Sequence, residues 1–453
     1  MKKLFADKAF YSRLIKLTLP IAFQSLMLAS VAAADAVMLG RVEQDSMSAV
    51  SLATQIQFVQ NMILGTVTAG GAILGAQYWG KKDKETVEKI FGLMIRLTGL
   101  ASFLFFAACI GMPELLMKIF AHEPDLISIG VSYLRIAGWS YLLTGISQCY
   151  LTMMKITEHA GRCALISSGA VLLNVILNAV FIFGLFGVPA MGARGAAIAT
   201  LISRIVELVW AIIASGRKNY VHLHFRHLLI RYPLLSADFT KIALPILGGS
   251  LFWGIGFTSY TAIMGHLGGD AAAANAIAAV VRDLFCCLCN GIASAGGIIV
   301  GMELGRGNLE QGRIYGNRIA VMSFIIGFLC TGLVLLVTPA VVNYIKLTDQ
   351  ARHYLVGMMV VMSIYMIGRC VNTIVINGIF SAGGDTLFDV YSLAVCMWGI
   401  AIPTAVIGAF FLHWPVVIVY ACTCLDEVGK IPWVMYHYRK YKWVKDLTRE
   451  SVE

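Results

Sequence analysis

Long apolar runs with almost no charge recur along this chain, and they constrain its fold more than any other feature. About twelve runs have helical length, near residues 14–38, 48–78, 92–112, 130–154, 163–186, 193–214, 242–264, 272–303, 317–342, 353–381, 386–411 and 415–437. A helix of about 20 residues crosses the ~30 Å hydrocarbon core of a bilayer, whereas barrel strands would alternate apolar and polar residues. The runs do not alternate. The pattern therefore predicts an all-α integral membrane protein with twelve transmembrane helices.

Composition and charge support this class and give it an orientation. Of the 453 residues, 58% are hydrophobic and 13% are charged, against about 25% charged residues in soluble domains. Most basic residues lie in loops on the side of the N-terminus, and the opposite loops carry only Arg41, Lys118, Arg194, Lys346 and Arg352. The positive-inside rule then predicts a multi-pass protein of the cell inner membrane with both termini in the cytoplasm. The net charge of +10 is expected to face anionic lipid, so no nucleic-acid partner is predicted.

Neither the cysteines nor any short motif indicates an enzyme. Most of the eleven cysteines lie within apolar runs, and the cluster CCLC at 286–289 lacks the paired spacing and histidine of a zinc site. The chain has no HExxH motif, no aspartate cluster at one membrane face and no Walker A loop. We therefore predict no cofactor and no metal site beyond a coupling ion, and a membrane-embedded enzyme is only a remote alternative.

The two halves of the sequence repeat in register. A constant shift of 225 residues aligns Lys16 with Lys241, Leu19 with Leu244, Pro20 with Pro245, Ser25 with Ser250, Gly40 with Gly265, Ala53 with Ala278, Gly71 with Gly296 and Gly80 with Gly305. Parallel repeats of six helices imply two lobes related by a pseudo-two-fold axis along the membrane normal, with a substrate path between them. We expect an N-lobe at 1–214, a cytoplasmic linker at 215–240 and a C-lobe at 241–453.

Asp35 is the first candidate functional residue. No charge separates Pro20 from Asp35, and a rise of ~1.5 Å per residue places the carboxylate roughly 22 Å along the helix from the proline. An ionised aspartate at membrane depth costs about 2.5–3.5 kcal/mol, so such residues usually face a cavity, pair with a partner or carry ions. Asp35 is expected to be the only carboxylate deep in the first half. The alternative is a helix-end aspartate that reaches interfacial water.

Pro20 and Pro245 open the first and seventh helices at equivalent positions. Proline removes a backbone donor and crowds the preceding turn, which bends a membrane helix. Both prolines are predicted hinges, although a static kink that only shapes packing is an equal alternative.

Asn174 and Asn178 lie four residues apart on the fifth helix, so both amides share one face. An amide carbonyl can accept a hydrogen bond from a protonated carboxyl or coordinate sodium, and Thr200 on the sixth helix could add a hydroxyl. Helix-to-helix hydrogen bonding at ~0.6 kcal/mol per bond is the alternative. Taken with Asp35 in the same half, the set favours an ion site.

The second half carries a different polar set. Tyr260 occupies the position equivalent to Asp35, Arg282 and Asp283 lie in the eighth helix, and Arg369 lies in the tenth. Adjacent residues point about 100° apart on a helix, so Arg282 and Asp283 cannot both point along one radius. These four residues are predicted to line a substrate cavity, with structural ion pairs as an equal alternative. Glu207, Glu303, Asp426, Glu427 and Lys430 are placed near helix ends.

Taken in order, these segments resemble the multidrug and toxic compound extrusion (MATE) family over essentially the whole chain. The resemblance rests on LTLPIAFQSL with Asp35 and Gly40, TAGGAILGAQYWGKKD from Thr68, the Asn174 and Asn178 pair, MGARGAAIAT from Met191, and IALPIL from Ile242. The acidic C-lobe pattern of the other branch is absent from the seventh and tenth helices, so the chain is more similar to the DinF-like branch.

The resemblance implies a secondary antiporter, monomeric in lipid, that exports amphipathic and often cationic drug-like compounds by alternating access. By match, Asp35 would be the coupling acid for protons or sodium, with Asn174, Asn178 and Thr200 around the same cavity. Some relatives have an aspartate where this chain has Asn178, which leaves the coupling ion open. A lipid-linked oligosaccharide flippase of the same superfamily is the nearest alternative, favoured by Arg282 and Arg369 and opposed by the count of twelve helices.

Overall fold

The structure is helical throughout its described residues. The computed structural model describes residues 7–41, 44–217, 220–344 and 347–450, and its description of side chains leaves out residues 32, 33, 35–37, 40 and 44. Within the described residues there is no β-strand. The predicted all-α class is therefore confirmed.

Eleven helices in the described residues are long and apolar enough to cross a membrane. They are α1 (Lys8–Gly40), α2 (Gln44–Gly80), α3 (Lys84–Gly111), α4 (Pro124–Ile156), α5 (Ala160–Phe183), α6 (Gly192–Ser215), α7 (Pro233–His266), α8 (Gly269–Gly305), α9 (Leu309–Tyr344), α10 (Asp349–Phe380) and α11 (Leu387–Phe411). Short helices at Pro113–Phe120 and Phe225–Leu229 lie in loops. Several helices exceed the predicted runs because their polar ends continue beyond the ~30 Å apolar layer.

The twelfth predicted run, 415–437, forms a helix in three consecutive pieces, which we label together α12. The pieces are Val416–Thr423, Leu425–Val428 and Ile431–Tyr438. Pro432 lies in the first turn of the third piece and has no N–H to donate to the preceding turn. The charged residues Asp426, Glu427 and Lys430 lie in or beside the middle piece, and all three are buried.

Local capping determines where several helices begin and end. The Asp83 carboxylate accepts hydrogen bonds from the backbone N–H of Thr86 at 3.0 Å and from its hydroxyl at 2.7 Å, which caps α3. Thr348 caps α10 by accepting from the N–H of Ala351 at 3.1 Å. Gly184 ends α5 with a φ of 73°, a left-handed conformation that favours glycine.

The chain divides into two compact units. We call Phe23–Phe239 with Arg449–Glu453 the N-unit, and Met1–Ala22 with Thr240–Thr448 the C-unit. The division assigns the start of α1 to the C-unit and the rest of that helix to the N-unit. Within the predicted linker 215–240, α7 already begins at Pro233. The predicted lobe boundaries stay a prediction.

The start of α1 packs into the C-unit through specific contacts with α8 and α9. The Phe10 ring stacks on Tyr315 with centroids 4.5 Å apart, and the Asp7 carboxylate accepts from the Arg318 guanidinium at 2.8 Å. This guanidinium holds the pKa of Asp7 below its ordinary value. The backbone of α1 also approaches α8 closely, because a Cβ at Gly291 would lie 2.8 Å from that of Ala22.

In the N-unit, buried hydrogen bonds fix the helices that surround the site described below. The Gln60 side chain on α2 donates to the Tyr141 carbonyl on α4 at 2.9 Å and to the Ser102 hydroxyl on α3 at 3.3 Å. Gly145 lets α4 approach α3, since a Cβ there would lie 3.1 Å from the Thr98 carbonyl oxygen. These contacts hold α2, α3 and α4 together.

The basic loop before α7 is folded against α3. The Arg96 guanidinium donates to the Ile230 carbonyl at 2.9 Å, and the Lys89 ammonium lies 5.0 Å from the Tyr232 ring centre. His227 is buried, and its Nδ1 lies 2.9 Å from the Tyr232 hydroxyl. Burial lowers the pKa of His227 because it disfavours the charged imidazolium.

Candidate functional site

A cavity of about 360 Å³ lies within the N-unit, bordered by α1, α2, α4, α5 and α6. This is at the lower end of the ~300–1,000 Å³ range of pockets that hold small molecules. Its apolar lining is formed by Leu28, Val31, Leu39, Met47, Val50, Tyr133, Ala170, Val171 and Ala196. Such a lining suits the apolar body of an amphipathic compound.

Polar side chains enter the cavity from four helices in rows. They are Ser51, Thr54, Gln57 and Asn61 of α2, Thr144 and Gln148 of α4, Asn174 of α5, and Thr200, Ser203, Arg204 and Glu207 of α6. Residues three or four apart share one helix face, which explains the rows on α2, α4 and α6, whereas α5 contributes Asn174 alone. The cavity can therefore form several hydrogen bonds to one molecule at membrane depth.

The predicted amide pair and Thr200 lie together in this cavity wall. The Asn178 Nδ2 donates to the Asn174 Oδ1 at 3.2 Å, and the Asn174 Nδ2 donates to the Thr200 hydroxyl at 3.3 Å. Thr200 in turn donates to the Ala196 carbonyl at 3.0 Å. Asn174 faces the cavity, whereas the fully buried Asn178 lies behind it. The structure thus joins α5 to α6 through these three side chains, and their role as ion ligands stays a prediction.

Asp35 lies in α1, but its side chain is outside the described residues. The described cavity lining includes Leu28, Val31 and Leu39 from the same part of α1. The predicted coupling role of Asp35, and a sodium ion at that residue, stay predictions.

A buried ion pair at the cavity was missed by the sequence analysis. The Arg204 Nη1 donates to both carboxylate oxygens of Glu207, at 3.1 and 3.0 Å, and the Ser147 hydroxyl of α4 donates to the same carboxylate at 2.5 Å. The side chain of Glu207 is only 1% exposed. The expectation that Asp35 is the only deep carboxylate of the first half is therefore wrong.

The sequence analysis predicted Glu207 near a helix end, but α6 continues eight residues further, to Ser215. A rise of ~1.5 Å per residue places Glu207 roughly 22 Å from the start of α6 and roughly 12 Å from its end. The available signal was two opposite charges three residues apart in a stretch that is otherwise uncharged from Gly195 to Ser215, since this spacing puts both on one helix face. Ser147 carries no such signal because it meets Glu207 only through tertiary packing.

In the C-unit, Arg282 and Asp283 pair with each other. The Arg282 Nε and Nη2 donate to one Asp283 oxygen at 3.0 and 2.9 Å, and the guanidinium lies 4.5 Å from the Phe257 ring centre. The side chain of Asp283 is 61% exposed, against 14% for Arg282. The arginine side chain is long enough to bend back to its neighbour, so the two charges meet although their Cβ atoms point apart.

Arg369 belongs to a more deeply buried cluster of the C-unit. Its Nη1 donates to Glu427 of α12 at 2.7 Å, and the Asn372 Nδ2 donates to the other carboxylate oxygen at 2.6 Å. Asp426 and Lys430 are buried in the same cluster, and Tyr260 lies beside Asp426. The structure therefore shows both predicted arginines in ion pairs. A substrate-lining role for them and for Tyr260 stays a prediction.

The predicted hinge residues lie inside long helices. Pro20 is inside α1 and Pro245 is inside α7. The division between the two units falls just after Ala22, two residues beyond Pro20. The bend-prone turn of α1 therefore coincides with the change from one unit to the other.

Three cysteines of the C-unit form the only group in the described residues that could share a metal ion. The sulfur atoms of Cys289, Cys330 and Cys370 lie within 4.8 Å of one another, and all three residues are buried. Cys289 belongs to the CCLC cluster, whereas its neighbours come from α9 and α10. The sequence gives no sign of this meeting, since the three residues are distant along the chain.

Known proteins resemble this chain over nearly its full length. The family model MatE matches residues 20–180 and 245–407, one match in each predicted half. The uncharacterized transporter YisQ of Bacillus subtilis is 23% identical over 97% of this chain and 96% of that protein. The multidrug resistance protein NorM of Burkholderia vietnamiensis is 26% identical over 88% of each chain.

Among solved structures, the MATE transporter VcmN of Vibrio cholerae superposes on this chain with a TM-score of 0.88 at 15% sequence identity. The superposition covers 97% of this chain and 98% of the VcmN chain. At that identity the likeness concerns the fold alone. It confirms the predicted fold class, a multi-pass membrane protein of twelve helices.

Proposed function

The chain belongs to the MatE family of transporters, and from this premise we propose that it exports amphipathic, often cationic drug-like compounds across the cytoplasmic membrane. We propose further that it is an antiporter, driven by protons or sodium through alternating access, and that it needs no cofactor. The observation that carries the proposal is the cavity of about 360 Å³ in the N-unit, which joins an apolar lining to rows of amides and hydroxyls.

The coupling ion would act at Asp35 together with Asn174, Asn178 and Thr200. The hydrogen-bonded row from Asn178 to Thr200 supports this assignment, because it presents amide and hydroxyl oxygens at the wall that α5 and α6 share. Those oxygens can coordinate sodium or accept a hydrogen bond from a protonated carboxyl. An ion or a substrate can shift the protein between the two conformations of alternating access only if it binds one of them more tightly than the other.

Transport in proteoliposomes with a pH gradient and a sodium gradient, imposed separately, tests the proposal. With the cationic dye ethidium as substrate, we expect export with at least one gradient. Asp35→Asn should abolish gradient-driven export while dye binding persists, and Asp45→Asn, at an exposed acid on α2, is the matched control. Export by Asp35→Asn at the wild-type rate would contradict the coupling role and point to Asp283 instead.

The proposed orientation places both termini and the loop before α7 in the cytoplasm. Phe225 in that loop is 82% exposed, and all eleven native cysteines are buried. A Phe225→Cys variant should therefore resist a membrane-impermeant maleimide in intact cells and react after lysis. Ready labelling of intact cells would reverse the topology.

A lipid-linked oligosaccharide flippase is the second candidate, and it needs cations that are free to bind pyrophosphate. Arg369 is paired with Glu427 at 2.7 Å and Arg282 with Asp283 at 2.9 Å. Both predicted arginines have a carboxylate partner and neither lines the described N-unit cavity, which supports the exporter of small molecules.

A further inference from the structure

Arg204 is the one arginine in the described lining of the N-unit cavity. It enters from α6 at roughly 18 Å from the start of that helix, which is the depth of the membrane interior. An arginine at such depth is usually paired or functional, and the pairing of Arg204 accounts for only part of its guanidinium.

A single nitrogen of Arg204 makes the ion pair with Glu207. Nη1 donates to both carboxylate oxygens, at 3.1 and 3.0 Å, whereas Nε and Nη2 have no partner in the described part of the chain. A guanidinium has donors on all three nitrogens, and the edge formed by Nε and Nη2 fits a carboxylate through two parallel hydrogen bonds. That edge of Arg204 is unused.

Of the two side chains in the ion pair, Arg204 is also the more exposed. The side chain of Arg204 is 21% exposed, whereas that of Glu207 is 1% exposed. Glu207 also accepts from the Ser147 hydroxyl at 2.5 Å, so its oxygens are already hydrogen-bonded. A molecule in the cavity therefore meets the guanidinium first, and an amine would have to break the ion pair to reach the carboxylate.

The neighbouring side chains can hold the rest of a polar headgroup. Gln57 and Asn61 share one face of α2, and Thr144 and Gln148 share one face of α4, because each pair is four residues apart. Amides both donate and accept hydrogen bonds. They can therefore bind a polar group of either sign next to the arginine.

We propose that Arg204 is a substrate-binding residue that takes a carboxylate of the transported compound, with Glu207 and Ser147 as its positioning residues. The proposal rests on the exporter function and deepens it: besides cations, the cavity takes amphipathic zwitterions, whose carboxylate binds Arg204. Arg204 and Glu207 together carry no net charge, so a bound carboxylate adds one negative charge at membrane depth. An amine on the same molecule compensates that charge, which a simple anion cannot do.

Two dyes that differ only at the carboxylate test this inference. Rhodamine B is a zwitterion, and its ethyl ester, rhodamine 3B, is a cation with the same ring system. Binding of each dye to the purified full-length protein in detergent is measured by fluorescence polarisation. Arg204→Gln should weaken rhodamine B binding about 10- to 100-fold, the range for losing a charged hydrogen bond, and leave the ester nearly unchanged.

Two further variants separate the loss of the binding group from misfolding and from the loss of any arginine on α6. The double variant Arg204→Gln with Glu207→Gln removes both charges, so no buried carboxylate is left unpaired, and it should show the same selective loss. Arg194→Gln is the matched control on the same helix, since Arg194 is exposed and donates to Ser132. It should bind both dyes as the wild type does.

Four results would overturn the inference. Equal loss of both dyes in the double variant would mean that the pair only shapes the cavity, and unchanged rhodamine B binding would mean that Arg204 does not touch the carboxylate. A wild type that binds and exports the ester but ignores rhodamine B would refute the zwitterion class while leaving the exporter function intact. Failure of the wild type to bind either dye would contradict both.

Discussion

In the N-unit, Arg204 and Glu207 border a cavity of about 360 Å³ and leave one edge of the guanidinium open. In the C-unit, Arg369 meets Glu427 in a cluster where Asn372 takes the remaining carboxylate oxygen. In both pairs a single guanidinium nitrogen, Nη1, contacts the carboxylate, and each arginine side chain is 21% exposed. The two pairs differ in their surroundings, because only Arg204 and Glu207 line the described cavity. The repeated halves have therefore diverged at these positions: Arg369 and Glu427 join α10 to α12, whereas Arg204 and Glu207 lie on one helix and, in our proposal, serve binding.

The largest expected effect comes from breaking the C-unit pair. Arg369→Met should destabilise the protein by about 3–5 kcal/mol, because it leaves Glu427 charged, buried and without its cation. Thermal unfolding in detergent measures this. The double variant Arg369→Met with Glu427→Gln should recover most of the loss, since no unpaired charge remains. A single variant as stable as the wild type would mean that Glu427 does not depend on Arg369.

Smaller effects are expected from two asparagines, Asn372 in the C-unit and Asn178 in the N-unit. The Asn372 side chain donates to the carboxylate of Glu427 at 2.6 Å and to the backbone carbonyl of Glu427 at 2.7 Å. Because Asn372→Ala removes both hydrogen bonds, it should lower the free energy of unfolding by about 1–3 kcal/mol. Asn178→Ala in the N-unit should instead weaken ion-coupled transport more than it lowers the unfolding midpoint. The two readouts, thermal unfolding and gradient-driven dye export, should therefore separate. If both variants lose only stability, the N-unit amides are structural as well.

The smallest expected effect concerns a buried histidine of the N-unit. Burial holds the pKa of His227 below its ordinary value, so the folded protein resists a proton that the unfolded chain accepts. This makes no difference above the ordinary pKa of about 6.5 and lowers stability as the pH falls through it. Between pH 8 and pH 5 the unfolding midpoint should fall less for His227→Phe than for the wild type, and His222→Phe is the control. Parallel curves for all three proteins would contradict this.

The features that followed from the sequence are those encoded locally. Periodic apolar runs gave α1 to α11, the four-residue spacing placed Asn174 and Asn178 on one face, and the matching prolines lie inside α1 and α7. Each depends on neighbours within a turn or on composition. These features are therefore legible without knowledge of tertiary contacts.

The features that were missed depend on contacts between distant segments. Glu207 meets Ser147 across 60 positions, and Arg369 meets Glu427 across 58. The spacing of residues along the chain does not indicate such contacts. The segmented α12 is an intermediate case, because the sequence analysis predicted a helical run at 415–437 but placed the buried charges Asp426, Glu427 and Lys430 near a helix end.

The most direct test of the account locates a bound substrate. Ethidium monoazide, a photoreactive form of the cationic dye, can be activated on the purified protein, and mass spectrometry then identifies the labelled residues. The account predicts adducts on α2, α4, α5 or α6 around the N-unit cavity, which disappear when excess ethidium competes. Adducts that ethidium displaces from the surroundings of Tyr260, Arg282 and Arg369, with none in the N-unit, would contradict it.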